Sequence, residues 1–398
     1  NGRDGGVGTE TQIISAEVYK NQQQEKFVAA VVERDENGEA YLPIYYKSRI
    51  YIDFCEPDNY ADCFEKLLRW IYDKPLYKRP PLGNKPSFLE EKDDITLGTS
   101  FLFKRVLTGL KESKSYVNGA IEEYLTTFSS NIEQFKIESE PEKYDDELVE
   151  KIEAFIPYRN EFIQICISLC QYSEDVKIDK FHRFFETLIP YFKHRGNGRF
   201  YEHDSDVFKF IVYELFLYYV AILLKYERFA ELDEFLDREY MNNEDSYGSE
   251  VEGYLMFYNY LKSLEYRNER LRCQKLSLFS SMIRDRAKHS NIDFLYLMQA
   301  DFVLFLRAEH LYANNWRRWW PQTLIYAEYT RKPLEIFFRA QSKKYFEKMK
   351  CVIGFDNEME LKSFIEEYYT NKRDIPRWQH CSFSPKGLAN TNNLCIKK

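Results

Sequence analysis

The chain reads as an α/β segment followed by a mainly α-helical module. Three observations lead there: two strand-like apolar runs and two helix signals crowded into the first 72 residues, a proline-rich break after them, and helical apolar spacing over most of the remaining chain. At 398 residues the chain exceeds one ordinary core, so two or three domains are expected. The boundaries fall at 1–74 (α/β), 75–99 (linker), 100–290 (helical domain), 291–381 (a C-terminal α or α+β subdomain) and 382–398 (a loose tail).

Thr9 to Gln12 fits a capping box, and Ile13, Ile14 and Val18 then give a short apolar stripe on a helix ending near Lys20. Phe27 to Val32 is a continuous, valine-rich run, the pattern of a strand covered on both faces. Asp35-Glu36-Asn37-Gly38 is a turn, and Arg49 to Phe54 is a second strand. From Tyr60 the apolar positions fall at 60, 63, 64, 67, 68 and 71, predicting a helix with a wide buried face, capped by Asp58 or Asn59. Two strands and two helices cannot enclose a doubly wound sheet, because edges and faces would stay bare. Further strands are therefore expected from a segment ahead of Asn1 or from a partner chain.

Prolines 75, 80, 81 and 86 mark an extended linker. Helix-compatible spacing then runs through Phe101–Leu110, Ile121–Phe128, Leu148–Leu169, Phe181–Phe192, Val207–Phe235 and Val251–Phe279. Glu138 to Glu153 holds eight acids against two lysines, a solvated loop and helix start. Asp293–Leu311, Ser342–Cys351 and Glu358–Tyr369 are helices. Thr323–Tyr326 and Leu334–Phe338 fit short strands or short helices equally. No repeat of fixed period is present.

A net charge of −8 argues against a broad nucleic-acid footprint, and 44% hydrophobic with 17% aromatic residues argues against disorder. The longest apolar stretch, Phe208 to Leu224, is interrupted by Lys209 and Glu214, so no membrane span is expected. Eight scattered cysteines without a Cys-x-x-Cys pair, and no secretory leader pattern, fit a cytoplasmic protein. Cys166 and Cys170, one helical turn apart, read as buried free thiols. The six histidines show no metal-ligand spacing, so no metal is expected.

The run Gly5-Gly6-Val7-Gly8-Thr9-Glu10-Thr11-Gln12-Ile13-Ile14, with Ser48-Arg49-Ile50-Tyr51-Ile52-Asp53-Phe54 and Leu67-Leu68-Arg69-Trp70-Ile71, resembles the C-terminal part of bacterial Toll/interleukin-1 receptor (TIR) domains, especially the SEFIR-like branch. The resemblance covers about residues 5–72. It implies part of a flavodoxin-like α/β domain that takes NAD as substrate, needs no cofactor and self-associates to become active. It also implies an NAD hydrolase effector of antiviral defence, triggered through the C-terminal module by an infection-derived partner. The catalytic glutamate it implies is Glu10, with Glu17 on nearly the same helix face as the alternative. Gly6 stands where the family's Trp-x-x-x-Glu pattern has tryptophan.

A carboxylate just inside a helix start is held ionised by the helix dipole and can stabilise an oxocarbenium-like centre. The plainer reading of Glu10 is a first-turn acid that only steadies its helix. The glycine run lacks the third glycine and the Lys-Ser/Thr of phosphate-binding loops.

Two more places could sense a ligand. Arg195, Arg199 and His203 lie in a polar loop that could clamp an anion, or serve as an exposed turn. Trp316, Arg317 and Arg318, within Trp316-Arg317-Arg318-Trp319-Trp320, could stack bases, or pack as a core with arginines turned outward. A TIR scaffold without catalysis and a nucleic-acid or nucleotide sensor are the competing functions.

Overall fold

The computed structural model describes residues 27–43, 46, 49–56, 59–72, 97–137, 144–192, 202–242, 250–313, 315–328 and 332–397. The chain divides into two compact units, 1–90 and 91–398. The helix expected over Thr9–Lys20 and the prolines of the linker lie outside the described residues.

In the first unit, β1 (Ala29–Val31) pairs in parallel with β2 (Tyr51–Asp53), Ala30 lying opposite Ile52. Between them the Asp35–Gly38 turn forms as expected. Asp35 Oδ1 accepts from the amides of Asn37 (2.9 Å) and Glu39 (2.8 Å), and Gly38 takes φ +81°, which a side chain would resist. Tyr46 ties the strand's start, donating its hydroxyl to Phe27 O at 2.9 Å. Helix α1 (Tyr60–Ile71) comes next in the chain.

Burial here departs from expectation. Val31 and Ile52 are buried, but Val32 is 69% and Ile50 80% exposed, so β1 and β2 are not covered on both faces. Of the apolar stripe on α1 only Cys63 is fully buried, while Tyr60, Phe64, Leu68 and Ile71 stay exposed. Two strands about 5 Å apart are narrower than a helix about 10 Å across, and cannot cover its wide face. Asn59 holds the N-cap position, yet its side chain makes no capping bond.

The second unit is predominantly helical. It gathers around α7 (Asp206–Lys225), where every residue except Lys209 and Lys225 is buried. A helix apolar all round belongs inside a core, and α7 packs against α5 (Ile156–Tyr172) and α11 (Phe294–Leu311). By length and apolar content His203–Lys225 would suffice to span a bilayer, despite Lys209 and Glu214; 94% of its most apolar window is buried inside this unit.

Several predicted runs break where the backbone must turn. Leu148–Leu169 divides into α4 (Tyr144–Ala154) and α5, with Pro157 in the first turn of α5. Val207–Phe235 divides into α7 and α8 (Phe229–Asp237), turning at Glu227 with φ +55°. Val251–Phe279 is the poorest match: a 3-10 turn at Tyr254–Phe257, α9 (Lys262–Arg270), left-handed Arg272 and Gln274, then α10 (Leu278–Ala287), whose cap Ser277 accepts from Ser280 N. Apolar spacing tracks burial, and the aromatic turn at 254–257 is buried without a long helix.

The remaining predicted helices form: α2 (Ser100–Lys111), α3 (Val117–Asn131), α6 (Ile178–Leu188), α13 (Lys343–Ile353) and α14 (Glu358–Glu367). The two undecided stretches are both helical, a 3-10 turn at Gln322–Tyr326 and α12 (Glu335–Arg339). Strands near the C-terminus do occur, as an antiparallel pair of β5 (Arg377–Trp378) and β6 (Cys381–Ser382). A second antiparallel pair joins β3 (Tyr240–Asn242) to β4 (Glu250–Glu252).

Three expected boundaries move. One hydrophobic cluster runs from Leu97 to Leu394, so the division at 290/291 falls inside a continuous core. Leu97–Thr99 belong to the helical unit rather than the linker: Leu97 is buried and Asn131 Nδ2 donates to its carbonyl at 2.9 Å. The tail from Ser382 is packed. Leu388, Ala389 and Leu394 are buried, and Lys397 N donates to Gln341 O while its own carbonyl accepts from Lys343 N, both at 2.8 Å. Its apolar residues are few but spaced to reach the core, which composition alone conceals.

Candidate functional site

A recess of about 690 Å³ in the first unit opens between β2 and α1. Ile50, Ile52 and Trp70 line it, with Asp53, Glu56 and Asp62 supplying carboxylates and Lys66 one ammonium. Asp53 ends β2. It pairs with Arg34 and accepts from Cys55 N at 3.0 Å, and these bonds, the guanidinium first, hold its carboxyl down at about 2. The same carboxylate pushes the Cys55 thiol up. Cys63 Sγ donates to Asp53 O at 2.9 Å, tying α1 to the end of β2. Asp53 is thus an ionised, already paired group: it can orient a hydroxyl or cation, but cannot carry a proton near neutral pH.

Glu10, Glu17, Arg195 and Arg199 lie outside the described residues. His203 precedes α7, and its ring stacks on Tyr144 of α4 at 3.9 Å between centroids. Trp316 to Trp320 does not act as one surface. Trp319 is core, donating Nε1 to Asp301 at 2.7 Å, and Trp320 packs edge-on against Trp378. Trp316 is 80% exposed, with the Arg317 guanidinium 4.5 Å from its ring centre. Arg317 pairs with Glu252 at 2.7 Å and Arg318 with Glu309 at 2.9 Å. Both cations are therefore already compensated, which weakens any role as a phosphate or base-stacking surface.

Charged groups to which the sequence assigned no functional role sit in the helical core. Glu214 of α7 accepts from Nε and Nη2 of Arg286 (2.9 and 2.7 Å) and from Nη1 of Arg159 (2.9 Å). Burial works to raise its pKa, but Arg286 and Arg159 outweigh it and the carboxyl ends lowered. Asp301 of α11 accepts from Trp319, from Thr323 N (2.7 Å) and from Thr323 Oγ1 (2.8 Å). It faces no cation within that set, and burial raises it to about 7 despite those bonds. Arg307, one turn and a half further along α11, reaches Asp233 and the carbonyls of Cys351 and Val352 at 2.7–2.9 Å, pinning α8 and α13 to α11. The signal for all of them was a lone charge inside an apolar helix, which needs a buried partner. These are cross-braces rather than a reactive centre: every carboxylate oxygen of Glu214 and Asp301 is occupied by a protein donor.

Among the described residues no group of three or more His, Cys, Asp or Glu side chains converges as a metal site. No family model, no curated protein and no solved structure matches this chain.

Proposed function

We propose that residues 1–74 are the C-terminal portion of a TIR-type NAD hydrolase domain, and that the helical unit governs when it assembles. The observation that carries this reading is the parallel register of Ala29–Val31 with Tyr51–Asp53, followed directly by the helix Tyr60–Ile71. Parallel pairs occur almost only in α/β folds with both faces covered. The exposed Val32, Ile50, Phe64 and Leu68 fit a domain whose remaining layers come from further strands or a neighbouring copy. Eight free cysteines fit a reducing, cytoplasmic setting.

In this reading water replaces nicotinamide on the ribose of NAD, and the Glu10 carboxylate stabilises the cationic centre as the N-glycosidic bond breaks. No cofactor is required. Self-association supplies the neighbouring domain that completes the site, and an infection-derived signal acting on the helical unit triggers it.

The test is nicotinamide release from NAD by the full-length protein, followed chromatographically under assembling conditions. Glu10→Gln keeps shape but removes the charge, and activity should fall by about 10² or more. Glu17→Gln should act mildly. Loss with Glu17→Gln alone moves the catalytic role two turns along the helix. No release from the wild type under any assembling condition leaves a TIR scaffold without catalysis. The sensor of nucleic acids is the weaker alternative, because Arg317 and Arg318 are paired with Glu252 and Glu309.

A further inference from the structure

A second recess, about 740 Å³, lies wholly within the helical unit, between the first turns of α11 and the segment leading into α12. Its volume falls in the range of about 300–1,000 Å³ typical of small-molecule sites. The walls are apolar: Leu295 and Tyr296 on one side, Pro333, Leu334 and Phe338 on the other. Leu295 and Phe338, each 57% exposed, put apolar surface on both sides of the hollow.

The polar groups are few and unequal. Gln299 lines the recess and is almost fully buried. Its Oε1 accepts the Ile336 amide at 3.0 Å, which fixes the orientation of the side-chain amide and leaves Nε2 as its free donor. Nε2 is buried and has no partner, an unfavourable state for an amide donor. The two carboxylates at the rim are in use: Asp293 caps α11 through Leu295 N at 2.8 Å, and Glu335 pairs with Arg339 at 2.6 Å. Lys332, also at the rim, makes no ion pair among the described residues. An apolar hollow with one uncommitted ammonium and one unsatisfied amide donor is complementary to an apolar anion rich in acceptors.

We propose that this recess binds a small acyl or aryl carboxylic acid, its apolar body between Leu295 and Phe338 and its carboxylate held by Lys332 and the Gln299 amide. The site stands apart from the reading of residues 1–74, since nothing in it depends on catalysis.

The probe is decanoate, kept below its micelle-forming concentration and titrated calorimetrically into the full chain, with decanol and decylammonium as matched controls. Decanoate should bind saturably, and more tightly than either control, because only it offers a negative head. Lys332→Glu, a change at an exposed position, should weaken decanoate about tenfold or more and leave decanol nearly unmoved. Phe338→Ala, also exposed, should weaken both about fivefold, the worth of roughly 40 Å² of lost apolar contact. Circular dichroism of both variants should match the wild type. The proposal is overturned by the absence of saturable decanoate binding below about 1 mM. Binding that neither variant changes, or decylammonium binding as tightly as decanoate, overturns it equally.

Discussion

Helices Tyr60–Ile71 and Asp206–Lys225 are both rich in apolar residues, but only the second finds cover. The first keeps Tyr60, Phe64, Leu68 and Ile71 exposed, whereas the second buries all but its two lysines. An amphipathic stripe names a face and not the partner that covers it. A helix apolar all round leaves one solution, the centre of the unit. The ion pairs repeat the contrast. Arg34–Asp53 lies at the surface, while Arg159–Glu214–Arg286 sits at zero to two per cent side-chain exposure.

Removing one partner of the buried set should have the largest effect. Glu214→Ala strands two guanidinium groups in the core and should cost the helical unit about 3–5 kcal/mol in urea unfolding. Asp53→Ala should shift the unfolding curve far less than Glu214→Ala, because that pair is solvated. A loss under about 1 kcal/mol for Glu214→Ala would mean the buried braces are not needed.

The two units should also answer pH in opposite directions. Asp301 is raised to about 7 by burial, so its proton binds more tightly in the folded state. Its contribution is fully present below the unfolded value near 4 and is lost as pH rises towards 7. Asp53 is depressed to about 2, so its contribution holds above about 4 and fades as pH falls through the acid range. Melting temperatures of wild type and Asp301→Asn between pH 4 and pH 8 check this. The wild type should lose stability up to neutrality and the variant should be flatter; parallel curves would refute the assignment.

A pair of glycines separates strain from crowding. Gly38 (φ +81°) would place a Cβ in open space, whereas Gly354 (φ +75°) would drive it to 2.8 Å from Leu311 Cδ1. Alanine at 38 should cost about 1 kcal/mol, the left-handed penalty alone, and alanine at 354 about 2–3 kcal/mol, each read from urea midpoints. Equal costs would show that Leu311 yields freely. The smallest contrast is Ile211→Val, expected to cost about 1 kcal/mol in the core, against Ile50→Val, expected to cost nothing measurable at 80% exposure.

Much of the helical order was legible. Asp293–Leu311 formed with Asp293 as its cap, and Cys166 and Cys170 are buried free thiols. Burial drives both thiols up, as an apolar helix pair would. Less was legible at the candidate sites. The recess holding Gln299 joins residues from α11 and the approach to α12, far apart along the chain, and Gln299 has no sequence signal of its own. Trp316-Arg317-Arg318-Trp319-Trp320 showed composition but not direction, and the structure sends Trp319 inward and Trp316 outward.

The sequence by itself determined most of the helical segments, where turns such as Asp35–Gly38 fall, and which helix is apolar all round. Those features depend on neighbours within a few residues, through capping, left-handed glycine and the pattern of apolar side chains. Tertiary structure decided that Glu214 meets Arg159 and Arg286, that the tail after Ser382 closes on Gln341 and Lys343, and that one core runs across position 290. Each of these joins residues distant along the chain, and the physical demand behind them is only that a buried charge or carbonyl find some partner. The local sequence states that demand, and packing alone chooses the partner.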